Sequence, residues 1–249
     1  MPVYRQDADL EFLANCDNED LDVLVTYLTK GKDGDLRFNE DLTAKDIYKK
    51  NHPNHKVYWQ DIAAELQTWG GNTFANLVRG DEGPLYKTVL VDVAKKMKVN
   101  FNPASPVELI EMNLLMKVLT DSLEKMTTEQ LKEIVEATDL KTTNFTPQAV
   151  AAALQIAVQR AGFWAVNRIA LIVANAVARM ILGRGVLLAT NVAITQTVAR
   201  SCTILTGPIG WVITGVWTLV DLAGPAYRVT IPSVIHVAYM RAKVAGDSK

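Results

Sequence analysis

From Gln148 to Leu182 the chain reads QAVAAALQIAVQRAGFWAVNRIALIVANAVARMIL, an Ala- and Val-rich run whose only charges are Arg160, Arg168 and Arg179. Apolar residues recur throughout it at helical spacing. At 1.5 Å per residue, an unbroken helix here would be about 50 Å long, interrupted in sequence only by Gly162 and stopped by Gly183 and Gly185. A second apolar segment, Val186 to Leu205, and a third, Ile209 to Leu222, follow on either side of Gly207-Pro208. No run alternates polar and apolar residues over a strand's length, Tyr227 to Ile231 being the nearest approach. The pattern predicts an all-α fold: a multi-helix bundle with a long Ala/Val-rich helix and an apolar C-terminal helical hairpin.

Charge divides the chain. Residues 1–150 hold 17 Lys+Arg against 25 Asp+Glu, whereas residues 151–249 hold 9 against 2. The net charge of -1 therefore conceals an acidic half and a basic half, which can attract each other or present the basic half to an anionic surface. The polar stretch TDLKTTNFT, Thr138 to Thr146, is the natural boundary between an acidic helical region, 1–145, and a basic apolar one, 146–249.

Helix punctuation fills the first region. Asp17 is placed to cap a helix that Gly31 stops, with GKDGD as the turn. Helices are expected from Thr43 to Lys50, from His55 to Trp69 with Gly70-Gly71 ending it, from Asn72 to Gly80, and from Pro84 to Lys98. Ser105-Pro106-Val107-Glu108 has the form of a capping box with proline at the first helical position; Thr127 with Gln130 forms a second, and Thr146-Pro147 opens another helix. At the far end, Thr230 is placed to cap a last helix, with Pro232 in its first turn, that clamps the hairpin.

Ser201 to Val220 has the length of a bilayer crossing and no charge, yet its threonines, glycines and Pro208 keep its hydropathy modest. On one continuous helix Arg160, Arg168 and Arg179 would fall within about 100° of one another, a basic stripe suited to anionic headgroups or to the acidic half. With Arg228 and Arg241 they form the candidate membrane or partner surface. Trp211 and Trp217 lie within the third segment, not at its ends, and are expected in the core. The start MPVYRQDADL lacks the form of a secretory signal, and Cys16 and Cys202 fall in different halves, so the expectation is a cytoplasmic protein, peripheral at the inner membrane if the basic surface is used.

No G-x-S-x-G, phosphate loop or H-E-x-x-H occurs, so no catalytic residue, cofactor or nucleic-acid partner is expected. His52 and His55 flank Pro53 without further ligands, which argues for solvated histidines and no metal; His236, among apolar residues, reads as a core histidine. The candidate polar site is Asn76, Arg79, Tyr86, Asp92 and Lys95, around the RGDEGP turn and along the helix after it.

In DADLEFLANC, WQDIAAELQTWGGNTFANLVRG, LYKTVLVDVAKKM and GPAYRVTIPSVIHVA the sequence resembles the uncharacterised bacterial YaaW-like family (UPF0174), grouped with the ubiquinol-cytochrome c chaperones. The resemblance spans nearly the whole chain. It implies a helical protein that handles an apolar client or works beside a respiratory membrane complex. Two functions of different classes follow: a non-enzymatic, membrane-associated or chaperone-like factor with a latent apolar hairpin, or a soluble interaction or immunity-type protein that meets a basic partner through Asp17, Glu19 and Asp20.

Overall fold

The computed structural model describes residues 2–31, 33–71, 83–161, 163–182, 196–220 and 226–247. Among them run ten α-helices and no strand. They are α1 (Asn18–Thr29), α2 (Asp46–Asn51), α3 (Trp59–Gly71), α4 (Tyr86–Lys96), α5 (Val107–Leu123), α6 (Thr128–Ala137), α7 (Pro147–Ala161), α8 (Phe163–Leu182), α9 (Gln196–Val220) and α10 (Tyr227–Asp247). The all-α bundle is thus what the periodicity predicts. An isolated antiparallel bridge, Lys30 to Leu36, closes the GKDGD turn, where Gly34 takes the left-handed conformation with φ of 82°.

Local signals succeeded where side chain and backbone met within one turn. At α6 the Thr127 hydroxyl accepts from the Gln130 amide while the Gln130 side chain accepts from the Thr127 amide, a complete capping box. At α5 the box is absent: the helix begins at Val107 with Pro106 as its cap, and no side chain caps it. Proline disfavours helical geometry in the residue before it, and the Ser105 amide bonds back to the Asn102 carbonyl in a separate turn. Asp17 holds the cap position of α1, but its carboxylate reaches elsewhere. The first turn of the His55 helix is a 3₁₀ turn, His55–Tyr58.

The C-terminal region differs more. The Ala/Val-rich run forms α7 and α8, on either side of Gly162, which lies outside the described residues. So do the helix expected from Asn72 to Gly80 and the first ten residues of the expected hairpin. Helix α10 starts at Tyr227, taking in the one stretch with strand-like character and leaving Pro232 inside the helix. The missing N–H removes one backbone bond, yet Val229 to Met240 are buried without a break, so tertiary packing outweighs the local loss. Nor does α10 clamp α9: it packs chiefly on α8 and α1, then on α5, α4 and α3. Helix α9 lies instead against α8, α5 and α6. The acidic and basic regions therefore share one core across the 145/146 boundary, with α10 at its centre.

Candidate functional site

The most buried polar chemistry lies where α10 meets the first residues of the chain. Glu111 sits on the inward stripe of α5 with Val107, Leu114, Leu115 and Val118. One carboxylate oxygen accepts from the Tyr86 hydroxyl of α4 at 2.7 Å, and the other from Arg241 Nε of α10 at 2.8 Å. Arg241 Nη2 donates to the Asp9 carbonyl at 2.6 Å, and its guanidinium lies 4.4 Å from the Phe12 ring centroid. The two side chains of the ion pair are 13% and 4% exposed. Burial pushes the Glu111 carboxyl up despite Arg241 and Tyr86, and holds the Tyr86 hydroxyl well above its ordinary range. Burial opposes the Arg241 charge, but Glu111, Tyr86 and Glu108 together outweigh it and raise the guanidinium's pKa.

Beside this pair Asp7 ties three elements together. Its carboxylate accepts from the Tyr86 backbone amide at 2.6 Å, the first N–H of α4, where a negative charge is favoured. Gln67 of α3 donates to the Arg5 carbonyl and accepts from its amide. Two residues on from Arg241, Lys243 donates to Asp20 at 2.7 Å and Asp17 at 2.9 Å. Burial raises the Asp20 carboxyl, whereas the hydrogen bond from Lys243 lowers the more exposed Asp17. Next to them His236 Nε2 lies 2.8 Å from the Asp20 carbonyl, which can only accept, so the ring proton is on Nε2. Burial depresses the imidazole to about 4, leaving it neutral. The expectation of a core histidine at 236 holds.

The predicted site residues are redistributed. Tyr86 is buried against Glu111, while Asp92, about 120° around α4, pairs with the Tyr227 hydroxyl and Lys95 is exposed. Asn76 and Arg79 lie outside the described residues. Arg160, on α7, and Arg168, on α8, are exposed; Arg179 is half-buried, and Arg228 is exposed on the first turn of α10. Arg241 is a correction: it is an internal ion-pair partner, not part of an outward basic surface, because Glu111, Asp9 and Phe12 enclose it. Asp20 likewise directs its carboxylate inward to Lys243, whereas Asp17 pairs with Lys243 from the surface, with its side chain 53% exposed, and Glu19 is exposed. His55 is buried, not solvated: its ring meets the Tyr58 hydroxyl at 2.7 Å and Asp22 at 3.3 Å. Among the described residues no His, Cys, Asp and Glu converge as a metal site.

Sequence reasoning missed Glu111 and Lys243. Both carried a signal, a charged residue on the apolar stripe of a helix: Glu111 between Val107 and Leu115, Lys243 at i+7 from His236.

Trp211 is the second correction. It is 72% exposed on α9, on one face with Thr203, Gly207, Thr214 and Gly215. From Thr203 to Gly215 that face carries no charge, and a Cβ built on Gly207 or Gly215 meets nothing within 4 Å. No helix among the described residues is long and apolar enough to cross a membrane.

Fold and site together define a class: a helical bundle whose last helix is the core and whose buried ion pairs join it to the N-terminal helices. The chain belongs to the UPF0174 family. It is 48% identical over 241 residues to a UPF0174 protein of Helicobacter pylori J99, covering 96% of this chain and 93% of that one. A second relative, from H. pylori 26695, is 42% identical over 83% of this chain and 98% of its own. The UPF0174 protein YaaW of Escherichia coli K12 is 31% identical over 97% of each chain. The family model described as ubiquinol-cytochrome C chaperone matches residues 54–235, and one described as a domain of unknown function matches residues 4–38. No solved structure matches.

Proposed function

We propose that this protein is a non-enzymatic, chaperone-like factor that holds an apolar helical segment of a client membrane protein against the outer face of α9. The observation that carries the reading is Trp211, a large aromatic ring 72% exposed on a helix with no charge from Ser201 to Val220. Exposed apolar surface of this kind marks interaction sites. Gly207 and Gly215 support it. Each destabilises a helix interior by roughly 1 kcal/mol relative to alanine, and nothing among the described residues packs where the missing Cβ would lie. What small residues permit is the close approach of another helix. Helix α9 also lies inside the span matched by the family model described as ubiquinol-cytochrome C chaperone. In this reading the exposed Arg160, Arg168 and Arg228 add a salt-sensitive attraction to the anionic membrane surface from which such a client emerges.

The test uses the full chain and a lysine-flanked leucine/alanine model helix. Titration is expected to shift Trp emission to the blue, and Trp211→Ser and Gly207→Arg to abolish the shift while leaving the circular dichroism spectrum intact. An equal shift in both variants overturns the α9 reading. Flotation with anionic and neutral vesicles at low and high salt reads the arginines separately: salt-released binding to anionic vesicles only is expected. Its absence removes the membrane part.

A further inference from the structure

Helices α5, α8 and α10 line a pocket of about 120 Å³, open on one side, beside the buried ion pair. Besides Arg241, α10 presents only alanines to it, Ala238, Ala242 and Ala245, one face at i, i+4 and i+7, and their small side chains leave the space. Met112 and Leu115 of α5 and Val166 of α8 complete an apolar wall. Its polar lining is Glu108, which is exposed, together with Glu111 and Arg241. Glu111 is already committed, with one oxygen on Tyr86 and one on Arg241. The guanidinium is not saturated: Nε and Nη2 have acceptors, and Nη1 takes none among the described residues. An apolar hollow with one or two convergent polar groups is the usual form of a small-molecule site.

The geometry points to a binding pocket for a compact, uncharged, largely apolar molecule that carries one hydrogen-bond acceptor, such as a carbonyl oxygen, for Arg241. The size follows from comparison with apolar cavities of about 150 Å³, which hold a benzene ring. The charge follows from the lining: an anion would meet Glu108 and Glu111, while a cation would meet Arg241. The acceptor follows from Arg241, which lines the pocket and whose Nη1 has no acceptor among the described residues. Ligand and client readings are independent, because the pocket lies between α5, α8 and α10 and the client face is on α9.

Three probes of similar shape decide it: acetophenone, ethylbenzene and benzoate, each titrated into the full-length protein while the Arg241 Nε–H and the Ala238, Ala242 and Ala245 methyl resonances are followed by NMR. Acetophenone is expected to shift these signals with a Kd on the order of 1 mM, as befits so small a ligand, and to bind at least tenfold more tightly than ethylbenzene or benzoate. Ala242→Leu fills the space and is expected to abolish binding. Should it unfold the protein, Ala245→Leu blocks the exposed side with little strain and is expected to weaken binding at least tenfold. Equal affinity for ethylbenzene overturns the role of Arg241, tighter benzoate binding overturns the neutrality of the ligand, and no binding by any probe, or binding unchanged in the filled variants, overturns the pocket.

Discussion

Helices α9 and α10 are alike in sequence and opposite in setting. Both are long, both contain a proline, and of the two α9 is the less charged, with Arg200 alone against Arg228, Arg241, Lys243 and Asp247 on α10. Yet α10 is the buried one and α9 the one that shows a tryptophan to solvent. Hydropathy alone would reverse them. Arg241 and Lys243 are tolerated inside because Glu111, Asp20 and Asp17 wait there at hydrogen-bonding distance; a buried charge is expensive only while it lacks a partner. The difference teaches that charge in this chain specifies docking of the last helix, whereas lack of charge on α9 leaves a surface.

The comparison breaks most visibly at Arg241. Arg241→Met strands Glu111 without its partner and is expected to destabilise the fold by about 3–5 kcal/mol in urea denaturation. Adding Glu111→Leu should recover a large part of that loss; a double variant no better than the single would mean that the pair is not what holds α10 in place.

Glu65 sharpens the same point from the opposite direction. It is fully buried on α3, and its only hydrogen-bond donor among the described residues is the Asp41 amide, so burial lifts its carboxyl to about 7. A raised pKa means that the folded state binds the proton more tightly. Its contribution is complete below the unfolded value of 4.5 and is lost as pH rises through 7. Glu65→Gln is therefore expected to stabilise the protein by about 2–3 kcal/mol at pH 8 and by nothing at pH 4, read from denaturation midpoints at both values. His236 works with the reverse sign: depressed to about 4, it contributes above 6.5 and loses that contribution as pH falls toward 4. Removing it with His236→Asn should flatten the acid limb between those values.

On α9 the expected effects are small, and their smallness is the prediction. Gly207→Ala should raise stability by about 0.5–1 kcal/mol, since the added methyl meets nothing and the helix gains propensity. Gly83→Ala is the contrasting control: its Cβ would lie 2.3 Å from the backbone of Gln67, so that variant should be destabilised by about 1–3 kcal/mol. Trp211→Ser should change stability by less than about 0.5 kcal/mol while removing client binding. A larger loss would show that Trp211 packs within the chain and would erase the contrast with α10.

Much of the fold was legible because its signals are local. The Thr127–Gln130 box, the stop before Gly31 and the helical period of residues 148–182 each need only one or two turns of chain to be realised. The candidate site was half legible. Tyr86 and Arg241 were both singled out, but as members of different surfaces, since nothing in their own neighbourhoods tells that a single glutamate, Glu111, will join them across 155 residues of chain. Trp211 was read as core for a related reason: apolar character says that a side chain favours leaving water, not whether the fold supplies a place for it.

By itself the sequence determined the helices, the division into acidic and basic halves and the family, because period, composition and likeness are properties of the chain read in order. Only the tertiary structure decided which apolar helix became the core and which charges went inside with it. Burial is a property of pairs of elements, and an ion pair such as Arg241 with Glu111 forms only when packing has already removed both groups from water.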